Sequence, residues 1–410
     1  MHASTNDRSD SQSPRALEGV RVLDLTHHIS GPYCTKLLAD FGAAVLKIER
    51  PSGDPARQLA PFFNDEPDPE KSLTFGYLNT NKKSLSLNLK SRRGRDILRS
   101  LSRDYDIVVE NFAPRVMPSL GLSFDALRQE NPGLIMVSIS NFGQTGPYRD
   151  YRAADIVEYA LGGLMYIFEG YDAPPLKHAL HQAQFRAGTN SASASLMAMY
   201  HQRLTGEGQH VDVSIQECVA SGLRDVVDNY TYTGAVRRRE PNHRGDLTRI
   251  REVSDGYILP NPGITARLDW SVVADFLEAP ELNDDRFNTA SARYANPEAL
   301  GEMMDRTFAN KKMYDVFYAA HKLRFIYGMV QSPEQVLADV QFADREFFVE
   351  VEHPATGKVK YPGAPFRMEG TPWEVRRPAP SLGEHNRELL GEPFGYSDID
   401  LSRLRAMEVI

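Results

Sequence analysis

The sequence predicts an α/β protein built on a doubly wound parallel sheet, and its opening stretch gives the clearest indication. An apolar run at residues 20–25 is typical of a short buried strand, and a helical pattern follows at residues 33–41. Pro32 precedes that pattern, near the position where a helix best tolerates a residue without an N–H group, and Gly42 follows it. A second apolar run at residues 44–48 completes a strand–helix–strand unit.

The same alternation continues to about residue 214. Further strands are predicted at residues 85–89, 107–109, 134–140 and 210–214, and helices at residues 155–168 and 189–204. Polar or charged residues follow several of the strands, among them Arg50, Lys90, Asn111 and the loop 141–148. Because the carboxyl ends of parallel strands line one crevice, we expect a ligand site at that edge.

The chain is long enough for two domains. We expect a doubly wound, Rossmann-like large domain with a smaller α+β domain inserted into it. Residues 1–16 are mostly polar and predict a disordered lead-in. Residues 17–228 would form the first part of the large, ligand-binding domain. Residues 229–334, where the glycine and proline spacing changes, would form the small domain, and residues 335–410 would return to the large one as its C-terminal tail.

The composition excludes several classes of function. A net charge of −8 argues against nucleic-acid binding, so we expect no nucleic-acid partner. No run approaches the roughly 18 apolar residues of a membrane span, so we expect no membrane partner either. Cys34 and Cys218 are the only cysteines, which excludes a disulfide framework and favours the cytoplasm. His178 and His181 have the spacing of two metal ligands on a helix, but no third ligand is evident, and we predict no metal site.

Residues 19–50, GVRVLDLTHHISGPYCTKLLADFGAAVLKIER, resemble the opening of the class III CoA-transferases. This family includes formyl-CoA transferase, carnitine CoA-transferase and the α-methylacyl-CoA racemases. Residues 345–367 and 378–390 resemble the end of the same family, so the resemblance covers nearly the whole chain from about Leu17. It implies an interlocked dimer, in which each chain threads around its partner. It also implies coenzyme A or an acyl-CoA as substrate or ligand, with no tightly bound cofactor.

Coenzyme A carries phosphates and a flat adenine, so its pocket needs cationic side chains and apolar walls. The resemblance places the CoA-binding positions at His28, Ser30, Arg50, Leu87, Lys90, Asn111, Phe112 and Arg152. Among them, Arg50 and Lys90 would meet phosphates and Leu87 would form an adenine wall. One contact departs from the family, since Ser119 stands where a phosphate-binding arginine is expected. Arg115 is close enough in sequence to replace that arginine in part.

The residue that should carry the chemistry has changed. A transferase of this class uses an aspartate that attacks the thioester carbonyl and forms an acyl–enzyme anhydride. Following the resemblance, Gln184 stands at that position, and a neutral amide cannot form the anhydride. Ile29 and Ala154 replace a glutamine and a tyrosine of the acyl site, and the racemase activity would need a histidine at Ala154. The second acidic position remains as Asp155, for which we expect a structural role at a helix start.

A family fold that lacks its nucleophile predicts a chemically silent subunit. We expect a heteromeric class III CoA-transferase in which a paralogous chain supplies the aspartate, moving CoA between a thioester such as succinyl-CoA and a carboxylic acid. The resemblance extends to benzylsuccinate CoA-transferase of anaerobic toluene degradation, which has two related subunits. Two alternatives stay open: a self-sufficient acyl-CoA lyase or hydratase that uses Asp155 as its base, and a non-catalytic CoA-binding scaffold.

Overall fold

The computed structural model, which describes residues 14–168, 174–239, 247–261 and 270–410, contains one parallel sheet and two small antiparallel sheets. The strands are β1 (Arg21–Asp24), β2 (Ala44–Glu49), β3 (Lys82–Ser86), β4 (Ile107–Glu110), β5 (Ile135–Ser140), β6 (His210–Ser214), β7 (Arg251–Val253), β8 (Gly256–Leu259), β9 (Gly328–Val330), β10 (Phe348–His353) and β11 (Gly357–Pro362). The six-stranded sheet has the order β3-β2-β1-β4-β5-β6, and its strands pair in parallel. This order is that of a doubly wound fold, so the predicted fold class is confirmed.

Helices connect the strands of the parallel sheet. The helices are α1 (Ser30–Asp40), α2 (Leu73–Leu78), α3 (Arg92–Ser102), α4 (Val116–Ser119), α5 (Phe124–Arg128), α6 (Asp155–Leu161), α7 (Leu164–Ile167), α8 (Gln182–Thr205), α9 (Ile215–Ala220), α10 (Arg224–Thr233), α11 (Trp270–Leu277), α12 (Ala290–Ala295), α13 (Pro297–Ala309), α14 (Met313–Lys322), α15 (Pro333–Ala338), α16 (Val340–Asp344), α17 (Asn386–Leu390) and α18 (Asp398–Ala406). Within the described ranges, no helix is both long and apolar enough to cross a membrane.

The chain divides into two compact units. The first takes in the described residues of Met1–Phe168, Lys177–Arg237 and Phe348–Ile410, and the second those of Glu169–Leu176 and Arg238–Phe347. The parallel sheet and the β10–β11 hairpin belong to the first unit, and the three-stranded antiparallel sheet β7-β8-β9 belongs to the second. The second unit has an apolar core of its own, centred on fully buried side chains such as Phe287 and Phe308.

Apolar side chains cover both faces of the parallel sheet. In β1, Val22 belongs to one buried cluster and Leu23 to another, because successive residues of a strand point to opposite faces. The cluster around Val22 includes Leu38 of α1 and Ala187 of α8. The cluster around Leu23 includes Ile97 of α3. The sheet is therefore held rigidly between two helical layers, which fixes the positions of the loops at its strand ends.

Three predicted element boundaries shift in the structure. Helix α1 begins at Ser30, so Pro32 is its third residue; the N–H that proline lacks would have no partner inside the helix there either. Strand β3 ends at Ser86, and the alternating residues 87–89 belong to the loop that follows it. Helix α8 begins at Gln182 rather than at residue 189, which places Gln184 in the first turn of a helix.

Buried ion pairs lie directly beneath the carboxyl ends of β1 and β2. The Lys82 ammonium is fully buried and donates to Asp24 Oδ2, to the carbonyl oxygen of Pro32 and to Asn79 Oδ1, each at 2.9 Å. Burial works to raise the pKa of Asp24, but the charges of Lys82 and Lys47 outweigh it and hold that pKa well below its usual range. All three N–H groups of Lys82 are thus satisfied, which a buried ammonium requires.

The Lys82–Asp24 pair should contribute strongly to stability. We expect Lys82→Met to lower the free energy of unfolding by about 3–5 kcal/mol, because the change leaves the Asp24 carboxylate buried beside fewer cations. Equilibrium urea unfolding measures this difference.

Lys83 provides the matched control on the same strand. Its side chain is about one-third exposed (37%) and pairs with Glu388, so Lys83→Met should cost less than about 1 kcal/mol. Equal losses in the two variants would contradict the role assigned to the buried pair.

Candidate functional site

Two neighbouring cavities open at the carboxyl ends of the parallel strands. Cavity A has a volume of about 580 Å³ and is lined by the loops after β1, β4 and β5 and by the first residues of α6 and α8. Cavity B has a volume of about 520 Å³ and is lined by the loops after β1, β2, β3 and β4. Phe112 lines both cavities, so they share a wall.

The predicted CoA-binding positions all lie at this edge of the sheet, in two groups. Cavity A is lined by His28, Ser30, Asn111, Phe112 and Arg152. Cavity B is lined by Arg50, Leu87, Lys90 and Phe112. The division follows the strand order, because the loop after β3 lines only cavity B and the loop after β5 lines only cavity A.

Reciprocal hydrogen bonds lock the loop after β1 to the loop after β4. The N–H of His27 donates to Asn111 Oδ1 (2.9 Å), and Asn111 Nδ2 donates to the carbonyl oxygen of His27 (2.7 Å). The next residue, His28, has a left-handed backbone with φ of 64°, and its N–H donates to Asp54 Oδ1 at 3.1 Å. The His27 ring lies 5.1 Å from the Phe112 ring, and burial lowers the pKa of His27 to about 4. His27 is therefore a neutral part of the wall.

Cavity B combines cationic side chains with an apolar wall. Arg50 and Lys90 are exposed, and neither forms an ion pair with a carboxylate in the part of the chain that the structure describes. Arg50 Nε donates to the carbonyl oxygen of Gly53 (2.9 Å), which orients its guanidinium. Leu87 is buried and forms part of the wall. This mixture suits a ligand that carries both phosphate groups and a flat apolar ring.

Ser119 lines cavity B, whereas Arg115 does not. Arg115, however, forms a two-point ion pair with Asp150, at 2.9 Å and 2.6 Å. Its guanidinium is thus already paired.

Gln184 lies in the first turn of α8 and lines cavity A. Its Nε2 donates to Glu158 Oε2 at 2.9 Å. The Asn141 amide nitrogen, turned toward the same carboxylate, donates to Glu158 Oε1 at 3.0 Å, and the Asn141 oxygen accepts from the Ala153 N–H at 3.1 Å. Two cavity-lining amides therefore share one carboxylate. We call these three side chains the amide–carboxylate cluster.

Glu158 is the acidic group that the sequence did not single out. It is fully buried, and burial together with the nearby Asp155 raises its pKa to about 7 against the opposing hydrogen bond from Gln184. Its position three residues after Asp155, on the same face of α6, was the available signal. Sequence patterns do not show which of two acids on one helix face receives the donors.

Asp155 is fully engaged at the start of α8. Its Oδ1 accepts from the N–H of Ala183 (3.0 Å) and, at a longer 3.4 Å, from that of Gln184, while Oδ2 pairs with Lys177 Nζ at 2.8 Å. Carboxylates are stabilised at helix N-termini by such free N–H groups. These contacts give Asp155 a structural role, and the free N–H groups that it accepts from belong to α8 rather than to its own helix α6.

The site thus presents cations and neutral amides but holds its buried carboxylates in internal contacts. Asp150 is the one further acid that lines cavity A, and it is paired with Arg115. Among the described residues, no group of three side chains has the arrangement of a metal site. The arrangement favours binding of an anionic ligand over nucleophilic attack by the protein.

Comparison with known proteins identifies the family of this chain. Residues 17–386 match the model of CoA-transferase family III. The chain belongs to this family. Membership supports class III CoA-transferase activity, in which CoA thioesters are substrates.

Relatives within the family align with this chain over nearly its whole length. The succinyl-CoA–D-citramalate CoA-transferase of Chloroflexus aurantiacus is 32% identical, over 98% of this chain and 100% of the relative. The subunit BbsE of succinyl-CoA:(R)-benzylsuccinate CoA-transferase of Thauera aromatica is 30% identical, over 95% of this chain and 97% of the relative. The crystal structure of a CAIB/BAIF family protein from Brucella suis superposes with a TM-score of 0.84 at 29% identity, covering 93% of this chain and 100% of that one.

The raised pKa of Glu158 should make stability depend on pH. An unfolded chain releases this proton near pH 4.5, whereas the folded chain keeps it up to about pH 7. Between these values the folded state binds more protons, so a rise in pH lowers the free energy of unfolding. We expect Glu158→Gln to remove a decline on the order of 2 kcal/mol across this window. Urea unfolding at about pH 5 and about pH 7.5 measures it.

Exposed Glu392 offers the matched control for this substitution. Glu392→Gln should leave the pH dependence of unfolding as it is in the wild type. If Glu158→Gln also leaves it unchanged, Glu158 is ionised over the whole range and its pKa is not raised in the folded chain.

Proposed function

We propose that this chain is the chemically silent subunit of a heteromeric class III CoA-transferase, which moves CoA between a thioester such as succinyl-CoA and a carboxylic acid. The observation that carries the proposal is the hydrogen bond from Gln184, at the family's nucleophile position, to the buried Glu158 (2.9 Å). An amide in this position is neutral and committed as a donor. It supplies no oxygen anion to attack a thioester carbonyl.

The two cavities support binding of coenzyme A. In the proposed arrangement the nucleotide occupies cavity B, where Arg50 and Lys90 meet phosphates and Leu87 faces the adenine. The pantetheine arm then passes Phe112 into cavity A, past His28, Ser30 and Asn111, with Arg152 at the rim. The free cations of cavity B favour this direction, because the phosphates carry most of the ligand's charge.

A partner chain would complete the enzyme. In an interlocked dimer of two paralogues, one chain supplies the aspartate and the other keeps the fold and the interface. The similarity to BbsE, which is named as a subunit, supports a heteromer. We propose the cytoplasm as its compartment, in agreement with the two free, buried cysteines.

The acid that is exchanged is a finer proposal. Benzylsuccinate, and with it a place in anaerobic toluene degradation, rests on BbsE alone, and another relative of similar identity is named for D-citramalate. Benzylsuccinate and citramalate are therefore the first two acids to assay. A stand-alone lyase or hydratase would need Asp155 as its base, and the contacts of Asp155 with α8 and Lys177 argue against that role.

Binding of coenzyme A should depend on the two cations of cavity B. We expect Arg50→Ala and Lys90→Ala each to weaken CoA binding by about 1.5–3 kcal/mol, the value of one charge-assisted contact. Titration calorimetry of the purified chain measures the affinity.

Arg92 is the control cation for this experiment, since its side chain is 92% exposed on α3 and lines neither cavity. Arg92→Ala should bind CoA as the wild type does. No binding by the wild-type chain, or unchanged affinity in both cavity variants, would exclude a working CoA pocket in this subunit.

Turnover should depend on the partner's aspartate and not on Gln184. We expect the isolated chain to transfer no CoA, and its complex with an aspartate-bearing paralogue to be active. Gln184→Ala should leave the turnover of the complex nearly unchanged, because loss of a true nucleophile costs many orders of magnitude and loss of this amide does not. Exchange of CoA between succinyl-CoA and labelled acids measures both.

Substitution of Gln184 by aspartate provides a second test in the same assay. Gln184→Asp should not activate the isolated chain, since the new acid would lie near Glu158 and Asp155 and would lack the Glu158 hydrogen bond. Robust turnover by the isolated wild-type chain, lost in Asp155→Asn, would overturn the proposed function and make Asp155 catalytic.

A further inference from the structure

A third cavity lies at the opposite end of the parallel strands, at the amino ends of β1, β2 and β3. Cavity C has a volume of about 350 Å³. Five cationic side chains line it, Arg15, Arg21, Lys83, Arg376 and Arg377, and its wall contains no aspartate or glutamate. The chain as a whole has more acidic than basic residues, 55 against 47, so this concentration of positive charge is local.

The backbone that carries Arg376 and Arg377 is fixed in place. The N–H groups of both residues donate to Asn81 Oδ1, at 2.6 Å and 3.2 Å, and the N–H of Asn81 donates back to the carbonyl oxygen of Arg377 at 3.1 Å. Asn81 is itself buried and donates to Asp40 Oδ1 at 2.7 Å. The two guanidinium groups thus start from a rigid base on the sheet, which is the condition for a preorganised site.

The donors of Arg376 are only partly used. Its Nη2 donates to the carbonyl oxygen of Ala39 at 2.9 Å. Its Nη1 is buried and has no hydrogen-bond partner within the described part of the chain. Burial, and next the charge of Arg15, lowers the pKa of Arg376. A negative charge bound in the cavity would stabilise this partly satisfied guanidinium.

The carboxylates nearby neutralise only some of the cations. Lys83 pairs with Glu388, and Arg15 approaches Glu374 at 3.7 Å, both from outside the cavity wall. The Arg21 guanidinium lies over the Tyr105 ring at 4.8 Å, and Arg377 reaches His385 at 3.4 Å. In the described ranges, the side chains of Arg21, Arg376 and Arg377 have no carboxylate partner.

We propose that cavity C is a binding site for a small polyanion, a molecule that presents two or more phosphate or carboxylate groups. Planar guanidinium groups match the oxygen geometry of such groups in pairs, and three unpaired guanidiniums converge here. The site is separate from cavities A and B, which lie at the carboxyl ends of the same strands. The bound anion contacts both the C-terminal segment around Arg376 and the amino end of β1. Because it binds the folded chain, it stabilises the first unit by mass action.

Titration calorimetry with inorganic pyrophosphate and with citrate, at constant ionic strength, tests the proposal on the full chain. The expected result is saturable binding and a rise in melting temperature, both of which persist in a double variant, Arg50→Ala with Lys90→Ala, that removes the cations of cavity B. Arg377→Ala and Arg376→Ala should each weaken binding by about tenfold or more. Arg377 has an exposed side chain with no backbone contact, so its variant should fold normally even if Arg376→Ala does not.

Two control variants locate the anion. Lys358→Ala removes an exposed cation of the β10–β11 hairpin and should leave binding unchanged. Arg50→Ala combined with Lys90→Ala should also leave it unchanged, because those cations belong to cavity B. The proposal is overturned if neither anion binds, if binding is lost in the Arg50/Lys90 variant, or if Arg377→Ala binds as the wild type does. These outcomes are independent of any result on CoA transfer.

Discussion

Two buried ammonium groups hold the loops on which the site depends. Lys82 fixes Asp24, and Asp24 in turn accepts the N–H of Thr26 at 3.0 Å, which turns the chain as it leaves β1. Lys47 donates to the carbonyl oxygen of Thr26 at 2.9 Å and pairs with Asp54 at 2.8 Å. Because a buried charge must be paired and hydrogen-bonded, these loops have little freedom to move. The position of His28 follows from Asp54, and the wall between the cavities follows from that loop.

A second constraint acts around Gln184, in the first turn of α8. Glu158 is fully buried and needs hydrogen-bond donors, which the amides of Gln184 and Asn141 supply. An aspartate at position 184 would instead place a third acid beside Glu158 and Asp155 and would raise the pKa of one of them. Gln184 therefore belongs to a cluster in which a neutral donor is the stabilising choice.

The sequence predicted the parallel sheet and the residues at its strand ends, because apolar runs and the glycine, proline and polar residues between them are local signals. It placed α8 too late, at residue 189, since the first turn of that helix depends on Asp155, a residue 27 positions before Gln182. It also missed Glu158 and did not indicate that Arg115 pairs with Asp150. Both have one cause: the partner of a charged side chain is set by tertiary structure, and no spacing rule contains that information.

Some charged side chains of the first unit are satisfied inside the protein, and others are not. Lys82, Lys47, Asp155 and Glu158 have their charges or hydrogen bonds satisfied inside the protein, so their structural role accounts for them. Arg50 and Lys90 line a cavity without a carboxylate partner among the described residues, and folding does not account for them. The proposed binding without turnover rests on these cations of cavity B together with the neutral, hydrogen-bonded amide of Gln184 in cavity A.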